Sequence, residues 1–150
     1  MAERDPRQLA LVYLASQHVM TLATHGEDGA WAAPVFYAQR EFDLYFLSAD
    51  HTRHIRHIEE NPVAAAAIYE QQHDWTAIRG IQLEGEIKRL GGAERAAAIA
   101  HYLVRFPTAA SEPALANAFT RVGWFRLRPS RLFFVDNSQG LGHRDEILLQ

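Results

Sequence analysis

Apolar and polar residues alternate along this chain with two different periods, and the switches between them mark its elements. Pro6 to Gln17 carries Leu9, Val12 and Tyr13 at helical spacing behind a proline suited to a first turn, which predicts a helix. The segments HVMTLAT and AWAAPVFYA then read as strands joined across HGEDGA, where Asp28-Gly29 is a hairpin signal. FDLYFLS resumes after the polar break QRE, so Val19 to Ser48 reads as an antiparallel meander. Pro34 has no N–H to give to a ladder. It marks a sheet edge, a bulge, or a place where the backbone faces something other than a strand.

A short helix follows Ser48, with Thr52 or Asp50 as cap, Ile55 and Ile58 as its buried side, and Asn61-Pro62 as its end. VAAAAIYE is a strand whose alanines imply that something packs very close. IRGIQLEGEIKRL alternates with period 2, sending Ile81, Leu83, Gly85 and Ile87 one way and Gln82, Glu84, Glu86 and Lys88 the other. GAERAAAIAHYLVRF is the clearest helix, broken by Pro107, and SEPALANAF supplies a shorter one. VGWFRLRP and RLFFVDN read as two last strands, before a tail with glycine-rich turns. Consecutive antiparallel strands with a few helices predict an α+β fold built on a small barrel, with residues 1–150 as a single domain.

Composition narrows the chemistry. A chain of 150 residues that is 48% hydrophobic can bury a core, and a net charge of −3 gives nucleic-acid binding no support. Cysteine is absent, which removes disulfides and thiolate chemistry and fits a cytoplasmic location. No apolar run has the length of a membrane helix, and the N-terminus lacks a signal-peptide pattern.

The stretch SADHTRHIRHIEENP concentrates two arginines and three histidines at the start of a helix, where unpaired N–H groups already carry positive charge. His51, His54 and His57 are spaced for a metal, but Arg53 and Arg56 would repel a dication and no zinc signature accompanies them, so no metal site is assigned. Glu59 and Glu60 dilute the patch against nucleic acid. A solvated face explains any one of these residues alone. As a group they suit an anion, since helix N–H groups and basic side chains then converge on one negative charge.

In order and spacing, WAAPVFYA, DLYFLSADHTRHIRHIEENPVAAAAI, IRGIQL with EGEIKRL, and FVDNSQGLG resemble the flavin-binding split-barrel superfamily related to pyridoxamine 5'-phosphate oxidase, and within it the YhbP-like subgroup. The resemblance spans Val19 to Gly142. It implies a six-stranded antiparallel split β-barrel of Greek-key type with peripheral helices, and a homodimer holding FMN between its subunits. Pro34, Val35, Phe36 and Tyr37 would lie along the isoalloxazine ring, and Leu47 and Ser48 along its polar edge and ribityl chain. Thr52, Arg53 and His54 would hold the phosphate. The segment from Trp75 through Ile78 to Gln82 of the partner subunit would close over the flavin, with Gln82 as a polar contact and Trp124 as a wall. Relatives often carry a lysine where this chain has His54. Phosphate attraction would then rest mainly on Arg53, and FMN affinity would rise as His54 protonates.

Residues that would clamp the phosphate of a vitamin B6 substrate are not recognisable, and RLRPS at Arg126 to Ser130 only partly echoes that enzyme's C-terminal motif. The resemblance therefore implies an FMN-dependent oxidoreductase acting on some other small molecule. Flavin itself carries the redox chemistry, which accounts for the lack of a nucleophile triad or acid–base dyad. No catalytic residue is assigned, and His101 and His143 are isolated. The alternatives are a non-enzymatic flavin carrier or sensor, a haem-binding relative, a barrel that has lost its cofactor, or a metal-dependent regulator using the histidine cluster.

Overall fold

The structure is a computed structural model that describes residues 3–150. Four helices, α1 (Pro6–Ser16), α2 (Arg53–Glu60), α3 (Gly92–Arg105) and α4 (Pro113–Arg121), surround one antiparallel sheet. Its long strands are β1 (Val19–Gly26), β2 (Gly29–Phe36), β4 (Asp43–Ser48), β5 (Val63–Tyr69), β6 (Arg79–Arg89) and β7 (Gly123–Asp136). Two three-residue strands, β3 (Ala38–Arg40) and β8 (Arg144–Glu146), complete it. The spatial order is β2-β1-β5-β6-β7-β4-β3, with β8 added along the second half of β7. The sheet curls into a half-barrel whose ends, β2 and β3, are joined through Tyr37 but are not paired.

Three expectations change. The six-stranded barrel becomes an eight-stranded curled sheet, because the QRE break is itself part of a hairpin and the tail returns to β7. The meander through Ser48 does not form: β1 pairs with β2, whereas β4 crosses to pair with β7. The two last strands are one. Pro129 does not end β7, because the ladder to β6 slips there: Glu84 faces Arg131 and Gly85 faces Pro129, leaving Ser130 as the extra residue.

Other local readings hold for stated reasons. The alternation in β6 buries Ile81, Leu83, Gly85 and Ile87 and exposes Gln82, Glu84, Glu86 and Lys88. Asp5 caps α1 by accepting from the backbone N–H groups of Arg7 and Gln8. The buried face of α1 is Ala10, Tyr13 and Leu14 with Leu9 beside them, and Val12 points outward instead. The main core lies inside the curl, around Met20, Leu22, Phe46, Ile68, Phe125 and Phe134. A second core lies on the outer side, where α3 and α4 bury Tyr102 and Phe119 against Trp124. Among the described residues no helix is long and apolar enough to cross a membrane.

At the slip in the ladder, a Cβ on Gly85 would run into the carbonyl oxygen of Arg128 and lie 2.7 Å from Cα of Pro129. Neither backbone atom can yield without opening the β6–β7 pair. A Gly85→Ala substitution is expected to cost about 1–3 kcal/mol, as overpacking does, read as a lower urea midpoint at unchanged slope.

Candidate functional site

β2 is the outer strand of the sheet, so one side of its backbone is free and Pro34 costs no hydrogen bond there. Its last residues, Pro34, Val35 and Phe36, face Leu47 of β4 across the unpaired gap of the half-barrel. The α3–α4 hairpin roofs this gap with Tyr102, Phe106, Leu115 and Phe119, enclosing a cleft of about 630 Å³. Phe36 is 57% exposed and meets Phe106 edge-on at 5.9 Å. An apolar cleft with one open strand edge suits a flat, conjugated ligand.

The next residue of β4, Ser48, begins a polar cluster at the start of α2. The Ser48 hydroxyl lies 2.7 Å from His54 Nε2, and the Thr52 hydroxyl lies 3.4 Å from both. Thr52 occupies the N-cap of α2, but its hydroxyl donates to the carbonyl of Ala49 at 2.8 Å rather than capping the helix. No described side chain accepts from the first amides of α2, so the positive end of its dipole stays open beside two hydroxyls and an imidazole. Burial is the main cause that holds His54 below its ordinary value of 6.5, with His57 adding to it, so His54 is a neutral partner for Ser48 near pH 7.

Arg53 is not free. Its guanidinium donates to the Asp28 backbone carbonyl at 3.0 Å, and its Nε lies 3.1 Å from the Asp28 carboxylate without hydrogen-bond alignment. The same guanidinium stacks 4.5 Å above the ring of Trp31. Asp28 in turn accepts from Nε2 of His57, which is 1% exposed and whose Nδ1 lies 2.9 Å from the Thr24 hydroxyl. The His57 hydrogen bond, with Arg53 beside it, holds the Asp28 carboxyl below the usual carboxylate range. An ionised Asp28 accepts the proton-bearing Nε2, and Nδ1 on the far side of the ring is within hydrogen-bond reach of Thr24. Gly26 makes room for this ring, since a Cβ there would strike His57 and lie 2.7 Å from a Glu60 carboxylate oxygen.

The structure thus gathers Pro34, Val35, Phe36 and Leu47 in the cleft, and separately brings Ser48, Thr52 and His54 together at the start of α2, outside the lining of the cleft, with Arg53 beside them on the helix. Two expected residues belong elsewhere. Tyr37 is 1% exposed and donates to the Leu14 carbonyl at 2.7 Å, and burial pushes its phenol up, so it is core and not a ring contact. Trp124 is fully buried, with its indole N–H donating to the Phe119 carbonyl at 3.1 Å, and has no face to offer a ligand. Trp75, Ile78 and Gln82 lie outside the cleft of their own chain. Trp75 and Ile78 are exposed and pinned through their carbonyls by Asn137, while Gln82 accepts from Arg144 at 3.3 Å. Asp28, read in the sequence only as a turn, and the aromatic wall from α3 and α4 were the missing parts. Among the described residues no cluster of ligands that could hold a metal forms, and His57 turns to Asp28 and Thr24.

The depressed His54 pKa has a signed consequence. Above pH 6.5 the imidazole is neutral in both folded and unfolded chains, and the full stability is present. As pH falls below 6.5 the unfolded chain takes up the proton first, so stability declines until the folded value is passed. Urea unfolding at pH 7.5 and 5.5 is expected to show a smaller loss for His54→Gln than for the natural chain.

The chain matches the model of the pyridoxamine 5'-phosphate oxidase family over residues 8–136. A UPF0306 protein of Klebsiella pneumoniae (strain 342) is 34% identical over 134 residues, covering 88% of this chain and 86% of that protein. The UPF0306 protein YhbP of Salmonella paratyphi A is 36% identical over 134 residues, with the same 88% and 86% coverage. Among solved structures, a haem-binding protein from Mycobacterium smegmatis superposes with a TM-score of 0.81 at 26% identity, and this chain spans 99% of its own length and 60% of that protein's. HutZ, a haem storage protein from Vibrio cholerae, gives 0.71 at 17% identity, covering 87% of this chain and 94% of the other. The split-barrel order of strands, the cleft at the open edge and these matches have one meaning: the chain belongs to the pyridoxamine 5'-phosphate oxidase family, alongside the UPF0306 proteins.

Proposed function

We propose that this protein binds FMN in the β2–β4 cleft of a homodimer and acts as an oxidoreductase on a small molecule. One observation carries the reading. The apolar cleft reaches Leu47, and the next residue of β4, Ser48, begins a cluster of hydroxyl and imidazole groups at an open helix start. That change from apolar to anion-seeking matches a ligand that is a flat ring at one end and a phosphate at the other. Pro34, Val35 and Phe36 would hold the ring, and Ser48, Thr52 and His54 the phosphate. Bound flavin supplies the two-electron chemistry. The chain's part is to shield the ring, orient it and neutralise its phosphate.

The pairing of Arg53 with Asp28 shapes the binding step. A phosphate entering at α2 meets a guanidinium that already has a carboxylate, so it must either share Arg53 or draw it away from Asp28. Since Asp28 keeps its bond from His57, it does not follow. Phosphate beside His54 also favours the imidazolium, so proton uptake would accompany binding.

The dimer reading rests on the outward sheet face. Thr21 and Ala23 of β1, Ala32 of β2, and Ala65 and Ala67 of β5 form a patch of small residues in register, rimmed by Val19, Phe36, Val63 and Tyr69. Such a surface permits close backbone approach of a second sheet. The exposed Trp75 and Ile78 would then cover the cleft of the partner subunit.

A haem reading draws on the Mycobacterium smegmatis neighbour. His18 packs 5.8 Å from Phe106 of the cleft, but its Nδ1 faces Arg105 at 2.6 Å and so accepts, which leaves its proton on Nε2. That tautomer is not set to ligate iron.

Titration of the purified protein with FMN is expected to give saturable flavin binding that tightens from pH 8 to pH 6. A Soret band on adding haem, with no response to FMN, would replace this reading by the haem one. Arg53→Ala is expected to weaken FMN roughly tenfold to a hundredfold, the loss typical of a hydrogen bond to a charged group. Asp28→Asn should tighten it. An Ala65→Arg chain, altered at an exposed position, is expected to sediment as a monomer and to bind FMN poorly.

A further inference from the structure

We propose a second ligand site, for a small oxyanion-bearing metabolite, in the cavity at the N-terminal half of α3. The cavity is about 170 Å³ and is lined by Arg40, Tyr45, Glu94, His101 and Arg126 over a floor of leucine and alanine. It shares no lining residue with the cleft. It therefore needs neither FMN nor a dimer.

Charge identifies the occupant. Arg126 donates to one oxygen of Glu94 at 3.2 Å, and Lys88 donates to the other at 2.9 Å. That Lys88 bond holds the Glu94 carboxyl below its ordinary value, so it carries one full negative charge and no more. The Arg40 side chain has no ion pair and no hydrogen bond among the described residues, since Asp43, its partner in the β3–β4 ladder, is taken by Arg128. Arg126 keeps a buried Nε without an acceptor although only 16% of its side chain is exposed. The cavity lining thus carries two guanidiniums against a single half-exposed carboxylate that is shared with Lys88, and the mostly buried Arg126 is left with a donor unanswered.

Tyr45 adds one more donor to the wall. The Tyr45 hydroxyl has no partner among the described residues, and its ring packs edge-on against His101 at 6.0 Å. His101 is locked in orientation because its Nε2 donates to the Gln39 carbonyl at 2.7 Å. A fixed phenol and two guanidiniums above an apolar floor suit a carboxylate or phosphate monoester with a short apolar body. The volume excludes anything as large as a nucleotide. A cation is excluded by the charge balance.

The test uses the full chain and three named probes: inorganic phosphate, acetate and butyrate. Calorimetry measures binding, and the imidazole resonances of His101 report the place. Saturable binding with a shift at His101 is expected, weakened roughly tenfold or more by Arg40→Gln, an exposed change that spares the fold. Glu94→Gln should strengthen it, and Arg53→Ala should leave it unchanged. Preference for butyrate over phosphate would assign a carboxylate, and the reverse a phosphate ester. The proposal falls if none of the probes shifts His101 saturably. It also falls if Arg53→Ala abolishes the binding while Arg40→Gln does not, which would move the anion to α2.

Discussion

The close backbone approach at Gly85 governs the geometry of everything else. β6 and β7 pair along nearly their whole length, and at one point the ladder slips by a residue over Ser130 and Pro129. Only a residue without a side chain fits on the β6 side of that slip. A bulge bends its strand and increases the local twist, so the long ribbon bends. One half of β7 can then serve β4 while the other half serves β8. The curl brings the end of β4 opposite the end of β2 without pairing them. That unpaired gap is the cleft.

Much of this was legible in the residues. Helix and strand periods located nearly every long element, because each buries one face and the pattern records which. What periodicity could not record was partnership. FDLYFLS has the same alternation whether it pairs with β2 or with β7, and crossing to β7 is decided by how the sheet curls. RLRPSRLFF looked like a break because proline usually is one. Here Pro129 sits where the ladder has already lost a hydrogen bond, which no local pattern announces.

The site divides in the same way. Motif order placed Pro34 to Phe36 with Leu47, and Ser48 with the start of α2, and the fold does bring each group together. It could not reveal burial: Tyr37 follows Phe36 in the chain and Trp124 faces Leu47 in the ladder, yet Tyr37 turns to the Leu14 carbonyl and Trp124 is sealed beneath the α3–α4 cover. Nor could it reveal the Thr24–His57–Asp28 chain, whose members come from β1, α2 and a turn. His57 looked like one more basic residue in a row of five. Its ring is instead an internal strut between the hairpin and the helix, fitted against a glycine.

The strut has a further implication, through the guanidinium it indirectly steadies. Arg53 rests on an indole face and against Asp28, so its charge is answered by the polypeptide itself. An anion arriving at α2 under the proposed function would therefore trade places with Asp28, and its departure would give the guanidinium back to that carboxylate.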